Sequence, residues 1–405
     1  MKTSLITVYI LLGLQIILFG QESAIKFREL ENLEDLKQEA AREDKNIFVY
    51  LHYKGCPHCV RMDKNVLNTT EVGEYYNNLF VSLSLDIHTD SLGVYFSSEY
   101  LPGGYPAYLY FDSNGNLKHK YQGYRTPKEF IQIAETAFNE SNNFNYYHQK
   151  VSEGDLSSEN LRKYFSFGYV PEKDSLINIY LANCSQDQLF SSETWLLLKE
   201  NTTHYKSPFF NYILTHEDEF RRSVGAKEVD DFLISRWVFM VNQWSAWWAN
   251  DVQRNKMKKK LRETKHPLCE RVIHQVDMEV WIERASWRKD SKSKLKNFIK
   301  EAHEYHTYGY DDWKNYYKAA WIILANSEKV DKTEIDFGYT LAKTSVDLHK
   351  DFENLYIYAH YCKQMGHAHD AIASMNECLQ YEKPKTNPKY IEKANKKIEE
   401  WKNAL

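Results

Sequence analysis

Residues 47–59 read Ile47-Phe48-Val49-Tyr50-Leu51-His52-Tyr53-Lys54-Gly55-Cys56-Pro57-His58-Cys59, and the reading of this stretch decides the first third of the chain. Five apolar residues in a row, rich in β-branched and aromatic side chains, predict a buried strand over 47–51. Two cysteines three apart follow it, and the Pro57 between them lacks an N–H, which suits the first position of a helix. Upstream, Leu33, Leu36, Ala40 and Ala41 fall at helical spacing amid charge. Downstream, a helix is expected over 59–68 and a short one over 72–77, after which residues 79–86 alternate at period two as a strand ending in Asp86.

A helical stretch over 92–98 leads to Pro102-Gly103-Gly104-Tyr105-Pro106 and the strand 107–111. Asp112-Ser113-Asn114-Gly115-Asn116 is a hairpin signal joining that strand to residues 117–121. Thr126-Pro127 then opens a closing helix, Thr as cap and Pro as first residue. Strands and helices mixed in this order within about 120 residues make an α/β layer domain. A strand leading into CxxC at a helix start, a second strand ending in Asp, an X-Pro before a hairpin and a closing helix together resemble the thioredoxin fold, over residues 24–141.

The resemblance implies thiol–disulfide chemistry. Cysteines at i and i+3 of a helix start are within bridging reach, and the implied roles are Cys56 as the exposed attacking thiol and Cys59 as the resolving one. Free N–H groups and the helix dipole stabilise a Cys56 thiolate, to which a protonated His58 adds positive charge. In this fold Pro106 is a cis proline beside the disulfide, and the backbone of Tyr105 pairs with an extended substrate strand. The implied site is therefore Cys56, Pro57, His58 and Cys59, with Tyr105 and Pro106 for substrate. No cofactor beyond a redox-active Cys56–Cys59 disulfide is expected, and no metal, although half a tetrahedral metal site and a static disulfide are the bland readings of the same pair. Two features depart from the family pattern. Tyr50 stands where relatives carry a buried carboxylate, leaving water, Lys54 or His52 to take the proton of Cys59, and Tyr105 replaces a smaller residue. The Pro57-His58 dipeptide is that of DsbA-type oxidants, whereas the short span from Asp86 to Pro106 is that of small exported reductase domains.

Composition sets the rest. Gly and Pro total 24 of 405 residues, about half the usual share, so long helices dominate. Aromatic residues make up 15%, enough apolar area to exclude disorder, and six cysteines are too few for a disulfide framework. Lys plus Arg number 52 against 56 Asp plus Glu, so no large field points to nucleic acid. Lys2 followed by an apolar run over 5–19 and a polar turn is a signal-peptide layout over residues 1–20. The mature protein is therefore expected to be exported, periplasmic or secreted, without stable membrane insertion.

Beyond 145 the strand signals stop, and an all-helical domain is expected over 150–310. Trp237, Val241, Trp244 and Trp248 share one face of a helix predicted over 230–253, a core stripe rather than a ligand platform. The basic run from Arg254 to Lys265 reads as a solvated face, and His303 and His306 as exposed histidines without metal spacing. Residues 311–405 have the flavour of tetratricopeptide-like helical hairpins, with Ala359 and Ala371 at a close helix approach and Cys362 and Cys378 as small core residues. The fold class is thus an α/β thioredoxin-like domain followed by an all-α region ending in such hairpins. The function implied is thiol–disulfide exchange with protein substrates and a redox partner protein, direction open. The alternative is a helical adaptor whose thioredoxin fold only binds.

Overall fold

The computed structural model describes residues 24–30, 32–203, 205–242, 251–287, 292–381 and 388–404. The signal segment expected over 1–20 lies outside the described residues, as do Trp244 and Trp248.

The apolar run at 47–51 becomes strand β1, Asn46–His52, inside a four-stranded sheet of order β2-β1-β3-β4, with β2 at Phe80–Asp86, β3 at Ala107–Phe111 and β4 at Leu117–Gln122. β1 pairs parallel with β2, Val49 opposite Leu83, and antiparallel with β3, Val49 opposite Leu109. The turn into β4 is held by Asp112, whose Oδ1 accepts the N–H groups of Asn114 and Asn116, the local bonding that makes Asp a turn former. Side chains alternate across the sheet. Phe48, Tyr50, Tyr108 and Tyr110 pack on one face with Tyr76 and Phe130, while Val49, Leu51, Leu83 and Leu109 pack on the other with Leu36 and Phe96.

Helices α1 (Leu33–Glu43), α2 (Pro57–Met62), α3 (Thr70–Leu79), α4 (Ser91–Tyr100) and α5 (Pro127–Ala137) cover those faces. α5 begins with Thr126 and Glu129 in a capping box, which satisfies backbone donors that a helix start leaves free. The helix expected over 59–68 differs from the observed one. It starts at Pro57 and passes at Asp63 into a π turn, Asp63–Leu67, and the wider turn carries the adjacent residues Val66 and Leu67 both into the core.

The free edge of β4 is covered by the helices that follow, α6 (Phe144–Ser152) and α7 (Ser158–Ser166). The Phe144 N–H donates to Nδ1 of buried His119 at 3.1 Å, and the Phe167 ring lies edge-on to the same imidazole at 4.8 Å. The chain divides into two compact units, one running to Thr202 and taking in His216–Val224, the other made of Thr203–Thr215 and Gly225–Leu405. The first helices after residue 141 thus belong to the same unit as the sheet, and α7 also packs on the later helix Ser192–Asn201, where Ser158 Oγ donates to the Glu193 carbonyl and Arg162 pairs with Glu200.

In the second unit, the long helix expected over 230–253 is described as Ala226–Asn242 and Asp251–Glu263. Trp237 is core, its ring against Phe210 and His266. The basic run is solvated, as expected, at Lys256, Lys259, Lys260, Arg262 and Lys265, but Arg254 and Lys258 are buried and paired with Asp251 and Asp277. Those acids neutralise charges that packing draws inward. His303 lies flat on Phe337, and His306, only half exposed, meets the rings of Tyr316 and Phe337. Two helical hairpins follow, Trp313–Ala325 with Lys332–Leu348 and Phe352–Gln364 with Ala368–Cys378. Ala359 and Ala371 are fully buried in the second, and Cys362 and Cys378 are separate buried thiols.

Candidate active site

After His52 the chain leaves the sheet through Tyr53, Lys54 and Gly55. Gly55 sits at φ +91°, a left-handed conformation that costs glycine little. Asp86, at the matching end of β2, fixes this loop. One carboxylate oxygen accepts the Lys54 N–H at 2.9 Å and the other the His88 N–H at 2.8 Å. The bond from His88, with that from Lys54, holds the Asp86 carboxyl below its ordinary range.

Cys56 is the N-cap of α2 and Cys59 lies in its first turn. The two sulfurs are bonded, with Cα atoms 5.2 Å apart, and the Cys59 N–H donates to Cys56 Sγ at 3.1 Å. A reduced Cys56 at this cap keeps that N–H and the α2 dipole as stabilisers of its thiolate. The expected exposure of Cys56 needs correction. In the disulfide form Cys56 and Cys59 are each only 2% exposed, because the Cys56 sulfur is turned in to its bond with Cys59 and to the Cys59 N–H. The open surface here belongs to Pro57 and His58.

The Tyr105–Pro106 peptide is cis, with Pro106 buried and Tyr105 half-buried. Tyr105 and the motif loop meet through Tyr53, whose ring lies edge-on to Tyr105 at 5.8 Å and tilted to His88 at 5.8 Å. Tyr105 Oη shares a 2.5 Å hydrogen bond with Ser97 Oγ of α4. The structure therefore brings the CxxC loop, the end of β2 and the loop before β3 to one end of the sheet, as the topology of an open α/β sheet favours.

Tyr50 is buried beneath this end, and its hydroxyl donates to Asp63 Oδ1 at 2.9 Å. Burial, then the Asp63 charge, raises the Tyr50 pKa, so Tyr50 stays a donor. The two side chains expected to stand in for the missing acid lie close by in the chain. The His52 ring stacks on Tyr50 at 5.2 Å, and Lys54 is exposed with its backbone N–H given to Asp86. Asp63 is the residue that sequence reasoning missed. Its spacing four after Cys59 places both on one helix face, but only the sheet shows that Tyr50 lies opposite. Among the described residues no cluster of three or more His, Cys, Asp or Glu could hold a metal, and no helix is long and apolar enough to cross a membrane.

A sheet of this order, a CxxC at the start of α2 and a proline loop beside it define a thioredoxin-like domain. The family model described as Thioredoxin-like matches residues 29–113. A candidate disulphide-isomerase from Bacteroides thetaiotaomicron is 28% identical, with 30% of this chain and 98% of that one covered and a TM-score of 0.27. DsbH oxidoreductase is 14% identical, covering 28% of this chain and 86% of its own, at TM-score 0.24. The oxidised C-terminal domain of Neisseria meningitidis DsbD is 20% identical over 25% of this chain and 89% of its own, at 0.22. No curated protein matches the chain.

Proposed function

We propose that this protein is an exported thiol–disulfide oxidoreductase that exchanges electrons with protein substrates, and with a redox partner protein, through Cys56 and Cys59. The observation that carries this reading is the Cys56–Cys59 disulfide at the N-terminus of α2, with a backbone N–H on Cys56 Sγ, in a domain matching the Thioredoxin-like model. When the protein oxidises a client, a client thiolate attacks Cys56 Sγ, the Cys56–Cys59 bond breaks, and Cys59 leaves as a thiolate that takes a proton. The client's second thiolate then attacks the client sulfur of the mixed disulfide and expels Cys56. Two electrons pass to the protein, and reduction of a client runs the same steps backwards. Tyr105 offers backbone to an extended client segment, and Asp63, one turn beyond Cys59, serves as the proton acceptor that Tyr50 cannot be. No cofactor takes part in these steps, and the apolar run at 5–19 supplies the export signal.

Cys59→Ala is expected to accumulate mixed disulfides with client proteins through Cys56, while Cys56→Ala forms none. The reading fails if neither variant differs from wild type in adduct formation, insulin reduction and thiol oxidation. The near-complete burial of Cys56 favours one other reading, a binding module with a static disulfide. That module would show a Cys56 titrating near the free-thiol value of about 8.5, whereas the enzyme's thiolate forms well below it. Equilibration against defined glutathione ratios then gives the direction of electron flow.

A further inference from the structure

The loop that leads into Tyr105 carries a contact that disulfide exchange itself does not need. Gly103 and Gly104 leave it without side chains just before Tyr105, and the turn after α7 fills the space beside them. A Cβ on Gly103 would stand 2.6 Å from Tyr169 Cβ, and one on Gly168 would stand 3.3 Å from the Pro102 carbonyl oxygen. Lys120 ties the two segments together, its buried Nζ donating to the Tyr100 carbonyl at 3.1 Å and to the Tyr169 carbonyl at 2.9 Å. The Tyr169 backbone is thus anchored, yet its side chain is 52% exposed. Among the described residues its ring meets no other ring and its hydroxyl makes no hydrogen bond. Leu101, on the opposed loop, is 40% exposed and held at φ +41°, a conformation uncommon for a branched residue.

An extended client paired at Tyr105 advances about 3.3 Å per residue, so two or three residues from its cysteine it passes over the bare backbone of Gly103 and Gly104. Two side chains stand beside that backbone: Gln122, whose Oε1 would lie 3.2 Å and 3.1 Å from a Cβ on Gly103 and Gly104, and the exposed Tyr169, donated by the helices after the thioredoxin-like domain. We propose that Tyr169 is a specificity-determining contact for an apolar or aromatic side chain two to three residues from the reactive cysteine of an extended polypeptide client. This inference rests on the thiol–disulfide reading above.

The test uses the reduced full chain and three disulfides: a short peptide mixed disulfide with Phe two and three residues from the cysteine, the same peptide with Ser at those positions, and bis(2-hydroxyethyl) disulfide. Wild type is expected to react about tenfold faster with the Phe peptide than with the Ser peptide, the lower end for one apolar contact. Tyr169→Ala, checked for an intact fold by its melting curve, brings that ratio close to one, and Tyr169→Phe keeps it. A ratio that persists in Tyr169→Ala, or that wild type never shows while reacting with all three disulfides, overturns the contact and leaves the oxidoreductase reading standing. Failure of wild type to react with any of the three removes that reading, and the contact with it.

Discussion

Tyr50 occupies the position six residues before Cys56, and the hydroxyl it brings there is a donor, not a base. Its partner Asp63 carries the negative charge on the facing helix, so the sheet and the helix have exchanged the groups that the resemblance leads one to expect. If Asp63 takes the proton of Cys59, Asp63→Asn keeps an acceptor for Tyr50 but loses the base. Stopped-flow measurement of mixed-disulfide resolution is then expected to show a slowing of roughly 100-fold, the lower end for a positioned acid–base group. Tyr50→Phe removes one hydrogen-bond donor and is expected to lower stability by about 1–3 kcal/mol in urea unfolding. The cysteine pair was legible because its spacing is local. Asp63 was visible only as a helix residue, since what faces it arrives from a strand 13 positions earlier in the chain.

At the scale of the element, β4 is the strand whose neighbours the sequence conceals. His119 is 1% exposed, its Nδ1 accepts the Phe144 N–H, and burial pushes its pKa down to about 3. The unfolded chain takes up a proton at this position as pH falls below about 6.5, while the folded chain keeps the imidazole neutral. The unfolded state therefore holds more protons between those values, and stability is expected to fall as pH drops from about 6.5 toward 3. One such group contributes at most about 1.4 kcal/mol per pH unit. Urea unfolding at pH 7, 5 and 4 checks this, and His119→Asn, whose Oδ1 can still accept the Phe144 N–H, is expected to flatten the dependence. An alternating strand pattern shows that residues 117–121 pair with β3, but not that helices close over the edge and bury a histidine and a lysine there.

For the whole molecule, the sheet and the helices as far as Thr202, with His216–Val224, form one unit. A fragment 24–141 loses Phe144 and Phe167 from His119 and uncovers the β4 edge, a template for pairing with other chains. It is expected to melt at a lower temperature than a fragment 24–224 and to self-associate on size-exclusion chromatography. Equal melting temperatures would show that α6 and α7 contribute nothing to the domain. The covered edge also explains how a turn beyond the thioredoxin-like domain comes to lie against the loop before Tyr105.

Local pattern alone determined the buried strand, the CxxC at a helix start, the turn at Asp112, the capped closing helix and the helical character of the rest. Each depends on residues within a few positions of one another, through side-chain alternation, capping and backbone chemistry. Tertiary structure decided the burial of Cys56 in its disulfide, the Tyr50–Asp63 pair, the neutral His119, the pairing of Arg254 and Lys258 with acids and the anchoring of Tyr169. These are contacts between segments distant in the chain, and burial and charge pairing arise only when folding brings such segments together.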